Sequence, residues 1–252
     1  MNLGNISFEG KKGIITGGAM GIGKAIAEQF VALGGKAIIA DINEEAAKAT
    51  SKELGNASYY IVNLADMEDT TRVFEEIVEK EEKVEVLINN AGIVNTDDFD
   101  KLTLENWNRV INIDLTSVFV TCQILFRHMA QIGGGRIVNV ASIAAKVGGG
   151  YLGTAAYASA KNGVLALTKA VAKAGSPKNI YCNSLCPGFN KTPLTSKNLL
   201  GEKEEIVRQA TALHRAADPE ETANAILFLA SDAASFIQGE NIICDGGMLM
   251  QG

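Results

Sequence analysis

The chain has 252 residues, 47% of them apolar and 21% charged, and carries a net charge of −6 at pH 7. This is the composition of an ordinary soluble globule, and the acidity without a basic cluster argues against nucleic-acid binding. The start Met1-Asn2-Leu3-Gly4-Asn5 has no basic n-region and no 18-residue apolar run follows, so a cytoplasmic protein without a membrane segment is expected.

The first element is a short apolar strand near 12–16, followed by a helix with Ile22, Ile26, Phe30 and Leu33 on one face. Gly17, Gly18, Gly21 and Gly23 lie between them. Glycines at that junction permit a tight turn and let a diphosphate approach the free N–H groups of a helix N-terminus. Their spacing, Gly-x3-Gly-x-Gly, differs from the Gly-x-Gly-x2-Gly of long-chain dehydrogenases. A second strand, 36–40, ends on Asp41, about 20 residues after the glycines, where an acid can accept bonds from both hydroxyls of an adenosine ribose. The same carboxylate would repel a 2′-phosphate, and neighbouring Met20 and Ile42 offer no compensating cation. NAD is therefore expected over NADP, although Asp41 could also serve as an N-terminal acid for the next helix.

A third strand near 58–62 leads to Asn63 and Leu64. Glu75-Glu76 and Glu79-Lys80-Glu81-Glu82-Lys83 read as the solvated end of a helix. A fourth strand, 84–88, runs into Asn89-Asn90-Ala91-Gly92, and a long helix is expected around 104–131. The strand 135–140 is followed by Ser142, and a helix around 155–174 carries Tyr157 and Lys161, four residues apart and so on one face. A phenol with a pKa of about 10 must lose its proton before it can take one from an alcohol, and a nearby cation favours that loss. Ser142 would then orient the substrate oxygen. Taken alone, Tyr157 and Lys161 could simply share an exposed helix face. Strands near 179–185 and 241–244 complete the pattern, and Asp218-Pro219-Glu220-Glu221 opens a late helix.

Alternating strands and helices specify a Rossmann-type, doubly wound, seven-stranded parallel sheet in a single α/β domain. Cys122, Cys182, Cys186 and Cys244 are sparse and far from His128 and His214, which predicts reduced thiols and no metal site. Wide apolar stripes on the two long helices suggest either a homo-oligomer or a thick monomeric core.

Together these motifs identify a resemblance to the short-chain dehydrogenase/reductase family over essentially the whole chain. Thr16 to Gly23, the Asn-Asn-Ala-Gly element, Ser142/Tyr157/Lys161, Pro187-Gly188 and Asp245-Gly246-Gly247 match its ordered motifs. The resemblance implies NAD contacts at Gly17, Met20, Gly21, Ile22, Asp41, Asn63, Leu64, Asn90, Gly92, Tyr157, Lys161, Pro187, Gly188, Asn190 and Thr192. It also implies a homotetramer and a substrate lid over 190–216.

Departures from the family pattern are informative. Asp114 stands where the family has an Asn that helps hold a water connected to the lysine. A carboxylate there partly cancels the Lys161 cation, so Asp114 is expected to stay in the relay and raise the working pH. Asn63 replaces an acid at the adenine, and Asn190 replaces an apolar residue with no role evident for its side chain. The Ser142–Tyr157 interval is two residues longer than the commonest spacing, within Gly148-Gly149-Gly150-Tyr151-Leu152-Gly153. The expected activity is NAD(H)-dependent interconversion of a secondary alcohol and its ketone, with Ser142, Tyr157, Lys161 and Asp114 in the catalytic set. Two alternatives remain: a 3-oxoacyl-carrier-protein-type reductase, which Asp41 disfavours because those enzymes usually take NADPH, and a dinucleotide-binding sensor without turnover. Val147, Tyr151, Leu152, Phe189 and Leu194 give the substrate end an apolar bias.

Overall fold

The computed structural model describes residues 6–149, 154–193 and 202–250, the side chains of 202–204 excepted. Seven parallel strands, β1 (Lys12–Thr16), β2 (Lys36–Asp41), β3 (Ala57–Ile61), β4 (Val86–Asn89), β5 (Gly135–Val140), β6 (Ile180–Pro187) and β7 (Asn241–Cys244), lie in the order β3-β2-β1-β4-β5-β6-β7. The helices are α1 (Gly21–Ala32), α2 (Glu44–Leu54), α3 (Met67–Glu81), α4 (Leu104–Ile111), α5 (Ser117–Ile132), α6 (Ala144–Val147), α7 (Ala155–Gly175), α8 (Glu202–Ala210) and α9 (Pro219–Ala230).

Successive strand residues point to opposite faces, and both faces are covered, which explains why the strands read as nearly continuous apolar runs. Ile14, Leu87 and Ile137 pack on one side with Phe74 of α3, Leu125 of α5 and Val164 of α7. Their neighbours Ile15, Ile88 and Val138 pack on the other side with Ile26 and Phe30 of α1 and Ile226 and Leu229 of α9. The strand order reverses between β1 and β4, so the crevice outside the carboxyl ends of those strands is where such a sheet binds a ligand. At α9 the Asp218 cap and Glu221 form a reciprocal capping box, with Pro219 in the first turn.

Three local features differ from the sequence reading. The fourth strand begins at Val86, and just before it the Val84 N–H donates to His128 Nε2 at 3.1 Å. The helix predicted over 104–131 continues from Leu104 to Ile132 but is interrupted by a π turn, Asn112–Thr116, in which the Ser117 N–H reaches back to the Asn112 carbonyl. That helix is long and apolar enough by composition to cross a membrane. Here it bridges the adjacent parallel strands β4 and β5 and packs Val118, Cys122, Leu125 and Met129 into the core.

Glu81 corrects the reading of 79–83 as a solvated helix end. It is 5% exposed, and its carboxylate lies 3.2 Å from Lys12 Nζ and 2.8 Å from Lys36 Nζ, while Ser58 Oγ donates to it at 2.8 Å. Burial works against the charge, but these donors outweigh it and hold the carboxyl below its ordinary range. Such a group stabilises the fold above its unfolded-state pKa, and that contribution fades as pH falls through the folded-state value. Glu81→Gln should cost about 1–2 kcal/mol in urea unfolding at pH 7, below the full buried-pair figure because both lysines remain partly exposed. The gap from the parent protein should narrow in acid; a gap that is constant with pH would show that the charge contributes nothing.

Candidate active site

A cavity of about 1150 Å³ opens at the carboxyl ends of the strands. At its phosphate end, Gly17 has φ +63°, and a Cβ there would press on Ala91 Cα at 3.0 Å. Thr16 closes the turn: its Oγ1 accepts from the N–H groups of Asn90 (2.9 Å) and Ala91 (3.0 Å), and Asn90 Nδ2 donates back to the Thr16 carbonyl at 3.0 Å. The first turn of α1 has no side-chain cap at Met20, which leaves its N–H groups available to an anion. Gly21 and Ile22 line the cavity beside it.

The far end is marked by Asp41, 8% exposed, whose two oxygens accept from the N–H groups of Ala19 and Asn43, each at 3.0 Å. Asn63 and Leu64 line this end. Asn63 Oδ1 accepts from Ala65 N–H at 3.1 Å, so the amide is held in a local turn.

At the reacting end, Ser142, Tyr157 and Lys161 converge. Lys161 is 3% exposed; its Nζ donates to the Val140 carbonyl at 3.1 Å and lies 3.3 Å from Asp114 Oδ2 and 5.7 Å from the Tyr157 ring centroid. Asp114 is fully buried in the π turn, behind the cavity wall. Its Oδ1 accepts from Ile93 N–H at 2.9 Å, while Oδ2 faces the ammonium without a well-aligned hydrogen bond. Gly92 makes room for the pair, since a Cβ there would stand 2.8 Å from Asp114 Oδ2 and 3.1 Å from Lys161 Nζ.

The electrostatics follow from burial and pairing. Burial raises the Tyr157 pKa; Lys161 pulls it down, Asp114 pushes it back up, and a hydrogen bond with Ser142 lowers it again, leaving it above the ordinary phenol value. Burial opposes the Lys161 charge, but Asp114 and Tyr157 prevail and hold its pKa above the usual value. Burial likewise pushes Asp114 up, against the pull of Lys161 and the Ile93 N–H. The four side chains form one coupled unit in which Asp114 partly offsets the pull of the Lys161 cation on Tyr157.

The remaining predicted residues also border this cavity: Asn90, Gly92, Pro187, Gly188, Asn190 and Thr192. Of the expected set only Asp114 sits behind the wall. A profile of the family described as enoyl-(acyl carrier protein) reductase matches residues 17–249. The 3-oxoacyl-[acyl-carrier-protein] reductase FabG of Thermotoga maritima is 38% identical over 248 residues, 96% of this chain and 99% of that protein. The chain belongs to the short-chain dehydrogenase/reductase family. Among solved structures, a putative NAD(P) dependent gluconate 5-dehydrogenase from Beutenbergia cavernae superposes with a TM-score of 0.92 at 31% identity, covering 97% of this chain and 99% of that one. A Brucella melitensis protein described as ribose-5-phosphate isomerase gives 0.91 at 32% identity, covering 98% and 95%. The shared fold therefore extends over differently named proteins, and the site carries the chemical argument.

The side chain of Asn190 has a structural explanation in this member of the family. It is 3% exposed, Thr222 Oγ1 donates to its Oδ1 at 2.6 Å, and its Nδ2 donates to the Gly188 carbonyl at 3.2 Å. The residue thus ties the loop after β6 to α9. Gly150, Tyr151, Leu152 and Gly153, and Leu194, Thr195 and Ser196 of the expected lid, lie outside the described residues. Sequence reasoning missed Arg109, Ile113 and Met248, which also line the cavity. Arg109 and Ile113 are four apart and share a helix face, but which face meets the cavity depends on helix packing. Met248 is brought there by Asp245, whose carboxylate accepts from Gly247 N–H (2.9 Å) and Leu249 N–H (2.7 Å).

Proposed function

We propose that this protein reduces a ketone to a secondary alcohol, and oxidises the alcohol in reverse, using NAD(H). The observation that carries this reading is the convergence of Ser142, Tyr157 and Lys161 on a cavity that also contains Asp41 and the glycine turn. The residues fit a dinucleotide: Gly17 and Gly21 line the cavity at the first strand-to-helix turn, the α1 N-terminus is uncapped, and a buried carboxylate marks the opposite end. When bound, the nicotinamide supplies or accepts the hydride.

The protein's own groups manage the oxygen and its proton. In reduction, Ser142 Oγ holds the carbonyl oxygen and the Tyr157 phenol donates its proton to it. In oxidation, Tyr157 must be a phenolate first, and Lys161 supports that state only to the extent that Asp114 leaves its charge free. Gly17, Met20, Gly21 and Ile22 would cradle the diphosphate, Asp41 the adenosine ribose, Asn63 and Leu64 the adenine, and Asn90, Gly92 and Lys161 the nicotinamide ribose. Pro187, Gly188, Asn190 and Thr192 would hold the carboxamide side, with 190–216 as a lid.

The names of the curated relatives favour a 3-oxoacyl thioester as the substrate class. A simple secondary alcohol or ketone is the second reading, favoured by Asp41, which suits NAD. We place the enzyme in the cytoplasm as a homo-oligomer of tetramer size, a state supported by exposed Leu104 and Phe119 on the long helix. Assay of purified protein with acetoacetyl thioesters and with a panel of simple ketones, each with NADH and NADPH, tests the reading. Oxidation of neither cofactor with any ketone, despite dinucleotide binding, would favour the sensor.

Asp41 gives a separate test of cofactor choice. Asp41→Ala combined with Ile42→Arg should tighten NADPH binding by about tenfold or more, roughly 1.4 kcal/mol, and weaken NADH, by fluorescence titration. Preference unchanged in the double variant would remove Asp41 from the discrimination.

A further inference from the structure

Thr222 lies on α9, fully buried and behind the residues that line the cavity. Its Oγ1 donates to Asn190 Oδ1 at 2.6 Å, and this bond decides how the Asn190 amide is turned. With the amide oxygen facing Thr222, Nδ2 faces the Gly188 carbonyl and donates to it at 3.2 Å. An apolar residue at 222 would take this donor away from a buried oxygen. The loop held in this way reaches the reacting end by direct bonds. The Pro187 carbonyl accepts from the Ile143 N–H at 3.1 Å, one residue after Ser142, whose Oγ accepts from the Ala144 N–H at 3.1 Å. Gly188 is fixed as well: its N–H donates to the Cys244 carbonyl at 2.9 Å, and a Cβ on it would stand 2.7 Å from Asp245 Cα.

Other ties between this loop and α9 are less particular. The Lys191 N–H donates to the Ala217 carbonyl and the Ala217 N–H to the Phe189 carbonyl, each at 2.9 Å, and such backbone bonds form whatever the side chains. The Lys191–Asp218 ion pair is exposed at both ends and contributes little. The Thr222–Asn190 bond, by contrast, is buried and depends on two particular side chains. We propose that Thr222 is a positioning residue: acting through Asn190, it holds the 187–190 loop where the nicotinamide must stand for hydride transfer in front of Ser142 and Tyr157. The inference rests on the ketone-reductase reading, in which this loop carries the carboxamide side of the cofactor. A ring displaced on the ångström scale loses rate steeply, while contacts at the adenosine end are untouched.

Thr222→Val removes the hydroxyl at nearly constant volume, and Thr222→Ala carries the same test should that variant not fold. With the cofactor the parent protein prefers, kcat for ketone reduction should fall about tenfold or more. Deuterium on the nicotinamide should then slow the variant more than the parent, because hydride transfer limits its turnover. Thr222→Ser, which keeps a hydroxyl, should recover most of the rate. In an Asn190→Leu background Thr222→Val should lower kcat no further, because the hydroxyl acts through the amide. Binding gives a readout independent of turnover. The factor by which NADH binds more tightly than ADP-ribose (2′-phospho-ADP-ribose where NADPH is preferred) reports the contacts of the nicotinamide half. That factor should shrink several-fold in Thr222→Val, with ADP-ribose binding unchanged. A parent-like kcat, a parent-like factor, or an equal fall of kcat in the Asn190→Leu background overturns the proposal, whatever happens to the urea midpoint. If no ketone is turned over, the enzymatic reading fails separately and the binding factor decides. Its loss in Thr222→Val upholds the positioning role, and a factor equal to the parent's overturns it.

Discussion

Tyr157→Phe is expected to lower kcat by about 10²- to 10⁴-fold, the range for losing a positioned general acid/base, while leaving the NADH dissociation constant unchanged. The substitution removes only the phenol oxygen. The ring stays in its cluster with Trp107, Val110, Ala156 and Ala160, so folding should be little affected. Steady-state kinetics beside a fluorescence titration separates the two effects. Ketone reduction at an undiminished rate in the variant would remove Tyr157 from the chemistry, and with it the mechanism proposed above.

The second large effect is expected at Asp114. Buried beside Lys161 at 3.3 Å, it partly offsets the cation that favours the Tyr157 phenolate. Besides Lys161 and Asp114, the groups bearing on the phenol are Ser142, which lowers its pKa, and buried Cys186, which raises it. Asp114→Asn keeps the acceptor for Ile93 N–H, removes the negative charge and so lowers the Tyr157 pKa. Alcohol oxidation needs the phenolate, so its rise should move to lower pH. Ketone reduction needs the phenol, so its alkaline fall should move the same way. Because the groups titrate together, the limbs belong to the cluster and not to one side chain. Superimposable pH–rate curves for the parent and Asp114→Asn, in both directions, would mean that Asp114 is already protonated and acts as an amide does. Stability adds a check: an unpaired buried ammonium is costly, so the asparagine variant should unfold at lower urea concentration.

Much of the site was legible because its signals are local. Gly17 to Gly23 sit at the first strand-to-helix junction, Asp41 closes the second strand, and Tyr157 and Lys161 are one helical turn apart. Each pattern needs only neighbouring residues to be read. Asp114 was recognisable as a departure from the family, but not as a fully buried residue whose second oxygen has only an ammonium beside it. Glu81 misled for the same reason. A run of alternating charges looks solvated until β1, β2 and β3 bring Lys12, Lys36 and Ser58 around one of its members.

The amino-acid sequence by itself determined the alternation of strands and helices, a doubly wound parallel sheet with its site at the carboxyl ends of the strands, and many of the residues bordering that site. Hydrophobic periodicity, glycine turns and short spacings are properties of contiguous segments. Tertiary structure alone decided which residues far apart in the chain meet. The π turn places Asp114 against Lys161, α4 presents Arg109 to the cavity while Trp107 packs on α7, and Asn190 is joined to Thr222. A helix's rotation about its own axis is set by everything packed around it. One residue inserted in a turn redirects every side chain that follows, and no local spacing records that.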